Sequence, residues 1–108
     1  MKMYELVGKD FRKTDDIEKS KSTSLFLTSY GEVSVSTVFL GWDHSFGSNS
    51  EPILFETMVF EGVYNEYQVR YHTYDEAEQG HKYTCEMISD DPIVIEFLRN
   101  QKLGDLLK

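Results

Sequence analysis

A chain of 108 residues with 40% hydrophobic and 14% aromatic side chains is too apolar to stay disordered and too short to build two cores. Its net charge of −8 is concentrated in the middle: residues 22–98 hold two basic side chains against thirteen acidic ones, while 1–21 carry +1 and 99–108 carry +2. A field of that sign repels phosphate backbones and attracts basic surfaces, which excludes direct nucleic-acid binding as the expected activity.

In chain order, Tyr4, Leu6 and Val7 suit a short strand that reaches the core. Residues 9–22, KDFRKTDDIEKSKS, are polar and mixed in charge, and are expected to be a short helix around 15–21 or a loose, mobile connection. TSLFLTSY (23–30) reads as a strand, and Gly31-Glu32 stands where a tight two-residue turn belongs. VSVSTVFLGW (33–42) alternates apolar and small polar residues, so the two runs make a hairpin. DHSFGSNSEP (43–52) is a loop by composition. ILFETMVF (53–60) is apolar on both faces except at Glu56 and Thr57, the signature of a central strand. After a turn at 61–65, EYQVRYHTY (66–74) alternates again as a fourth strand.

Asp75-Glu76-Ala77-Glu78 opens a helix, with acidic side chains where the helix dipole favours them. Ala77, His81, Thr84, Cys85 and Ile88 recur at helical spacing and should face the sheet, although Gly80 costs helix propensity. Asp91-Pro92 suits the start of a second helix. IVIEFL (93–98) fits a strand as well as a helix, and 92–108 reads as a carboxy-terminal helical addition. The expected architecture is one α+β domain over 1–108: a four-stranded antiparallel meander with helices packed on one face.

The helix side of this sheet takes Val33, Val35, Phe39, Ile53, Phe55, Val59, Tyr67, Val69 and Tyr71. The reverse takes Ser34, Ser36, Val38, Leu40, Trp42, Leu54, Glu56, Met58, Phe60, Gln68, Arg70, His72 and Tyr74. That reverse face is too apolar for plain solvent surface, which points either to cover by a mobile amino- or carboxy-terminal segment or to a subunit interface, with a ligand platform third. Trp42, Met58, Phe60, Arg70 and His72 are its candidate binding residues, and a homodimer through this face is expected.

Asp43, His44, Glu56 and His81 form a conceivable divalent-cation set, and carboxylate plus imidazole can do acid–base work. Their spacing matches no metal or catalytic motif, and the stretch SFGSNS lacks the lysine of a phosphate loop. A loop histidine and a helix histidine are more often structural, so no cofactor is expected and the metal-dependent hydrolase reading ranks last. Arg70, His72, Tyr71 and Trp42 carry a second reading, a small-ligand or nucleotide-signal binder, through cation and stacking contacts. A cross-strand ion pair from Glu56 to Arg70 or His72 accounts for those residues without chemistry. The lone cysteine, Cys85, has no internal disulfide partner. With no apolar run of membrane-spanning length and no secretory leader at Met1–Glu5, the expected setting is the cytoplasm, away from membranes.

Three stretches, VSTVFLGWDHSFG (35–47), PILFETMVFEG (52–62) and RYHTYDEAEQGH (70–81), together resemble a family of small uncharacterised bacteriophage and prophage proteins. The resemblance covers about the middle half of the chain. It singles out Asp43, His44, Phe46, Glu56, Arg70, Tyr71, Glu76 and His81 without giving any of them a role. Trp42 departs from the smaller aliphatic expected there, and the segment beyond Asp91 lies outside the pattern. What the resemblance implies is a setting: a small acidic protein in a bacterial host's cytoplasm that binds a host protein, including as an inhibitor of a host enzyme or defence system.

Overall fold

The computed structural model describes residues 2–46 and 51–106. The expected α+β architecture is present. Strands β3 (Thr23–Tyr30), β4 (Val33–Phe39), β5 (Phe55–Phe60) and β6 (Gln68–Tyr71) form an antiparallel meander in the order β3-β4-β5-β6. Helix α1 (Tyr74–Met87) packs on it, a 3-10 turn at Ile88–Asp90 follows, and helix α2 (Pro92–Leu106) ends the described chain. A separate two-stranded sheet precedes them, made of β1 (Tyr4–Val7) and β2 (Asp10–Lys13).

The faces divide as the alternation requires. Val33, Val35, Thr37 and Phe39 of β4 are buried, as are Phe55, Thr57 and Val59 of β5. Two clusters share this inner face. Tyr4, Phe39, Leu54, Phe55 and Ala77 fill one end. Val33, Val35, Val59, Ile88 and Val94 fill the other, with Cys85 packed beside them as a small apolar group. Each fully buried Val, Phe or Ile removes apolar area worth about 1.5–3 kcal/mol from water, which is what holds the helices down.

Three expectations are corrected and one open alternative is resolved. Residues 9–22 are neither a helix nor a loose connection where β2 and the 17–20 turn lie. Leu6 pairs with Phe11, and Glu5 with Arg12 in an ion pair. Phe11 reaches Tyr4 at 5.6 Å and Phe55 at 6.4 Å, both edge-on. One aromatic among charges leaves no periodic signal, yet it nails the hairpin to the core. The hairpin joins the segment just after β4 through Tyr4 N–H to Gly41 O at 2.8 Å. Gly41 takes a positive φ of 80° and lies so close to the Ser20 carbonyl that a Cβ there would overlap it.

Second, the fourth strand is short. It stops at Tyr71, and Thr73 rather than Asp75 caps α1. The Thr73 hydroxyl accepts from Glu76 N–H at 3.1 Å while the Glu76 carboxylate accepts from Thr73 N–H at 3.1 Å, a reciprocal capping box. Tyr74 therefore turns to the inner face against Phe26 and Phe55 instead of the reverse face. Third, Leu54 lies at the end of the β5 ladder and is fully buried with Tyr4, where the amino-terminal strand closes the sheet end. Fourth, the strand–helix ambiguity of 93–98 resolves as helix. Buried Asp91 accepts from Ile93 N–H at 2.8 Å and its carbonyl from Ile95 N–H at 2.9 Å, so the chain enters α2 already capped.

Candidate functional site: the open face of the sheet

Among the described residues, all the packing elements sit on one side of the sheet. Ala77, His81 and Thr84 of α1, Val94 of α2, and Tyr4 and Phe11 of the hairpin all meet inner-face residues. The reverse of β3–β6 is left open. Its side chains lie in rows across the strands, fixed by the register. Leu27, Ser36, Met58 and Gln68 make one row. Ser29, Ser34 and Phe60 make the next toward the β3–β4 turn. Ser24, Val38, Glu56 and Arg70 make the one on the other side. Small Ser34 and Ser36 on the central strand run between Leu27, which is 66% exposed, and Met58 with Phe60, which is 45% exposed. The result is a shallow furrow with apolar walls and a hydroxyl floor.

One end of the furrow carries charge. Glu56 is 8% exposed. Its carboxylate accepts from Arg70 Nε at 3.0 Å and from the Gln68 amide. The cross-strand pair expected for Glu56 is therefore made with Arg70, and not with His72, whose Nδ1 lies 3.1 Å from the Pro52 carbonyl oxygen. Of the five candidate binding residues, Met58, Phe60 and Arg70 share the open face. His72 sits beyond the end of β6, in the bend before α1. Trp42 lies past the other end of β4, half-buried and bridged to Met3, so it does not join Phe60, which is paired with Ser34. The apolar patch expected to run from Trp42 and Leu54 to Phe60 is thus smaller: Leu54 belongs to the core and Trp42 to the amino-terminal bridge. Tyr71 faces inward, so it does not stack beside Arg70 either.

The proposed cation set is scattered. Asp43 is engaged as a loop clamp: its carboxylate accepts from Ser45 N–H at 2.8 Å, the Ser45 hydroxyl at 2.9 Å and Ile53 N–H at 3.0 Å. Burial pushes this carboxyl up, but those donors outweigh it and hold the group below the usual carboxylate range. His44 Nδ1 lies 2.7 Å from the Trp42 carbonyl. Glu56 and His81 stand on opposite faces of the sheet, since Glu56 bonds outward to Arg70 while His81 bonds inward to Thr37. Among the described residues no three His, Cys, Asp or Glu side chains come together as a cation cage. Residues 47–50 of the predicted loop lie outside the described residues.

His81 belongs to a buried polar seam under α1 that sequence reasoning did not find. Its Nε2 lies 2.9 Å from the Thr28 hydroxyl and its Nδ1 2.7 Å from the Thr37 hydroxyl, which in turn lies 2.6 Å from the Thr57 hydroxyl. Tyr71 stands beside Thr57 and Thr84 at the end of this seam, and the Thr84 hydroxyl donates to the Gly80 carbonyl at 2.7 Å. Burial pushes the His81 imidazole below its ordinary value, with no carboxylate among these partners to oppose it. Every buried side-chain polar atom among the described residues has a partner, so the seam specifies strand order and helix placement. The one signal available in the sequence was Thr28, Thr37 and Thr57 occupying inward positions on three successive strands.

No described helix is long and apolar enough to cross a membrane. Comparison with protein-family models, with curated proteins and with solved structures returns no match to the chain.

Proposed function

We propose that this chain is a small phage-type accessory protein that acts by binding a protein of the host cell in the host cytoplasm, and that this binding inhibits a host enzyme or defence system. The observation that carries the reading is the open sheet face. Its apolar walls are exposed Leu27 and Phe60 with half-buried Val38 and Met58, while among the described residues the packing elements crowd the other side. A face with an apolar centre and a polar rim has the make-up of an interface. The acidity of residues 22–98 favours a partner whose contact surface is apolar with a basic border. The three phage-like sequence words add the host setting. Arg70 is already paired with Glu56, which disfavours its use for an anionic nucleotide signal.

The test is affinity capture from bacterial lysate at low salt, run side by side with the native chain and with Met58→Asp and Phe60→Asp variants. Both positions sit on the open face, and Phe60 is well exposed, so the fold should survive. The expected result is one protein held by the native chain, lost by both variants, and released as salt rises. Capture that is indifferent to both substitutions would overturn the assignment of this face.

A further inference from the structure

The edge of the sheet carries information that the face does not. Strand β3 is the outer strand of the meander, eight residues long, and it holds no charge and no proline. Residues 22–42 contain a single charged side chain, Glu32, in a chain of net charge −8. Natural sheets guard long edges with lysines, prolines or a covering segment, and β3 lacks the first two.

Its outward backbone groups can be identified. Tyr30 and Val33 flank the two-residue turn and form a hydrogen-bonded pair. Alternation then makes Thr28–Val35 and Phe26–Thr37 bonded pairs and turns the N–H and C=O groups of Leu27 and Ser29 away from β4. The same alternation, carried across the sheet, gives Leu40 N–H to Leu54 O at 2.7 Å and Val59 N–H to Tyr67 O at 3.0 Å, both of which are present. Among the described residues, no backbone hydrogen bond outside the sheet ladders involves 23–30. The irregularity between Ser24 and Phe26 lies to one side, leaving Phe26–Tyr30 as regular edge.

We propose that β3 pairs antiparallel with β3 of a second copy of this chain, about a two-fold axis near Leu27, joining two meanders into one eight-stranded sheet. Three observations select a second copy as the occupant. Leu27, 66% exposed on the open face, meets its own mate across the axis. The ends are complementary in charge: Lys21, which makes only an exposed ion pair with Glu18 in the single chain, stands just before β3 and exposed Glu32 just after it, and the two-fold brings each Lys21 toward the other chain's Glu32, which can replace that weak surface pair. The opposite edge, β6, is only four residues long and carries Arg70, so β3 has no matching edge on the other side of the sheet to extend a filament and closes on itself. The uncharged β3 edge also gives two acidic chains a place to approach without like charges meeting. The pairing places the two open furrows side by side in one continuous surface, which is distinct from the face-to-face dimer expected from the sequence and independent of what the face binds.

Light scattering across a concentration series, combined with hydrogen exchange, tests this. The native chain should reach twice 12.6 kDa, with the Leu27 and Ser29 amides gaining protection as the dimer forms. Leu27→Lys places like charges across the axis and should hold the chain at the monomer mass with its circular dichroism unchanged. Glu32→Lys should weaken the dimer, and adding Lys21→Glu should restore it. These two positions lie off the furrow, so the charge swap reads the edge without touching the face tested by Phe60→Asp. A native chain that stays monomeric throughout the series overturns the proposal. So does a dimer that survives Leu27→Lys, or one that is lost with Phe60→Asp while the two amides exchange freely.

Discussion

Replacing Gly80 by alanine is the sharpest single probe of the inner face. By helix propensity alone the change should stabilise α1 by about 0.5–1 kcal/mol, because alanine loses less backbone freedom than glycine. The tertiary structure reverses that sign. A Cβ on Gly80 would come within 3.0 Å of three Tyr71 atoms, the phenol oxygen among them, so the ring has to shift. Overpacking of this kind costs about 1–3 kcal/mol. Set against the propensity gain, the balance is a net loss of up to about 2.5 kcal/mol, and Tm should fall by about 4–8 °C for each kcal/mol lost in a domain near this size. Urea and thermal unfolding followed by circular dichroism measure it. The same substitution in a Tyr71→Ala background should be neutral or stabilising, since nothing then occupies the space. A rise in Tm on Gly80→Ala in the native background would refute the assigned packing of Tyr71 over the helix.

The polar seam gives two further expectations. Thr37→Val removes the hydroxyl shared by His81 and Thr57; leaving buried polar groups unpaired costs about 1–3 kcal/mol, read as a lower urea midpoint with an unchanged slope. Because burial lowers the His81 pKa below 6.5, the folded chain binds fewer protons than the unfolded one as pH drops through that region. The stabilisation is complete above 6.5 and is lost as pH falls toward the folded value, so melts between pH 8 and 5, an interval of about 3 units chosen to bracket the ordinary histidine value, should fall more steeply for the native chain than for His81→Gln. At the loop clamp, Asp43→Ala frees the Ser45 and Ile53 amides, and faster hydrogen exchange at those two amides is the expected result. On the open face, Arg70→Met leaves the Glu56 carboxylate with Gln68 as its remaining side-chain partner and should destabilise the chain more than Gln68→Met does, by denaturant titration.

The alternation of VSVSTVF and the turn at Gly31-Glu32 were sufficient to read the β3–β4 hairpin, because period-two burial is a local property of one strand beside a core. The stripe of Ala77, His81, Thr84 and Ile88 was legible for the same reason at helical spacing. So were the meander and the inward residues of β4 and β5, while the cross-strand partner of Glu56, open between Arg70 and His72 in the sequence, was fixed as Arg70 by the register of the folded strands. What escaped is non-local. The place of Phe11 depends on Tyr4 and on Phe55, which is forty-four residues away in the chain. The meeting of Thr28, Thr37 and Thr57 at His81 depends on three strands and a helix arriving together. Gly80 read as a helix defect until Tyr71 was seen lying on it. Local sequence carries backbone preference and the in–out rhythm of each element. Which side chains close a space between elements is decided only when the elements share one core, because close packing ties every such position to atoms that are distant in the chain.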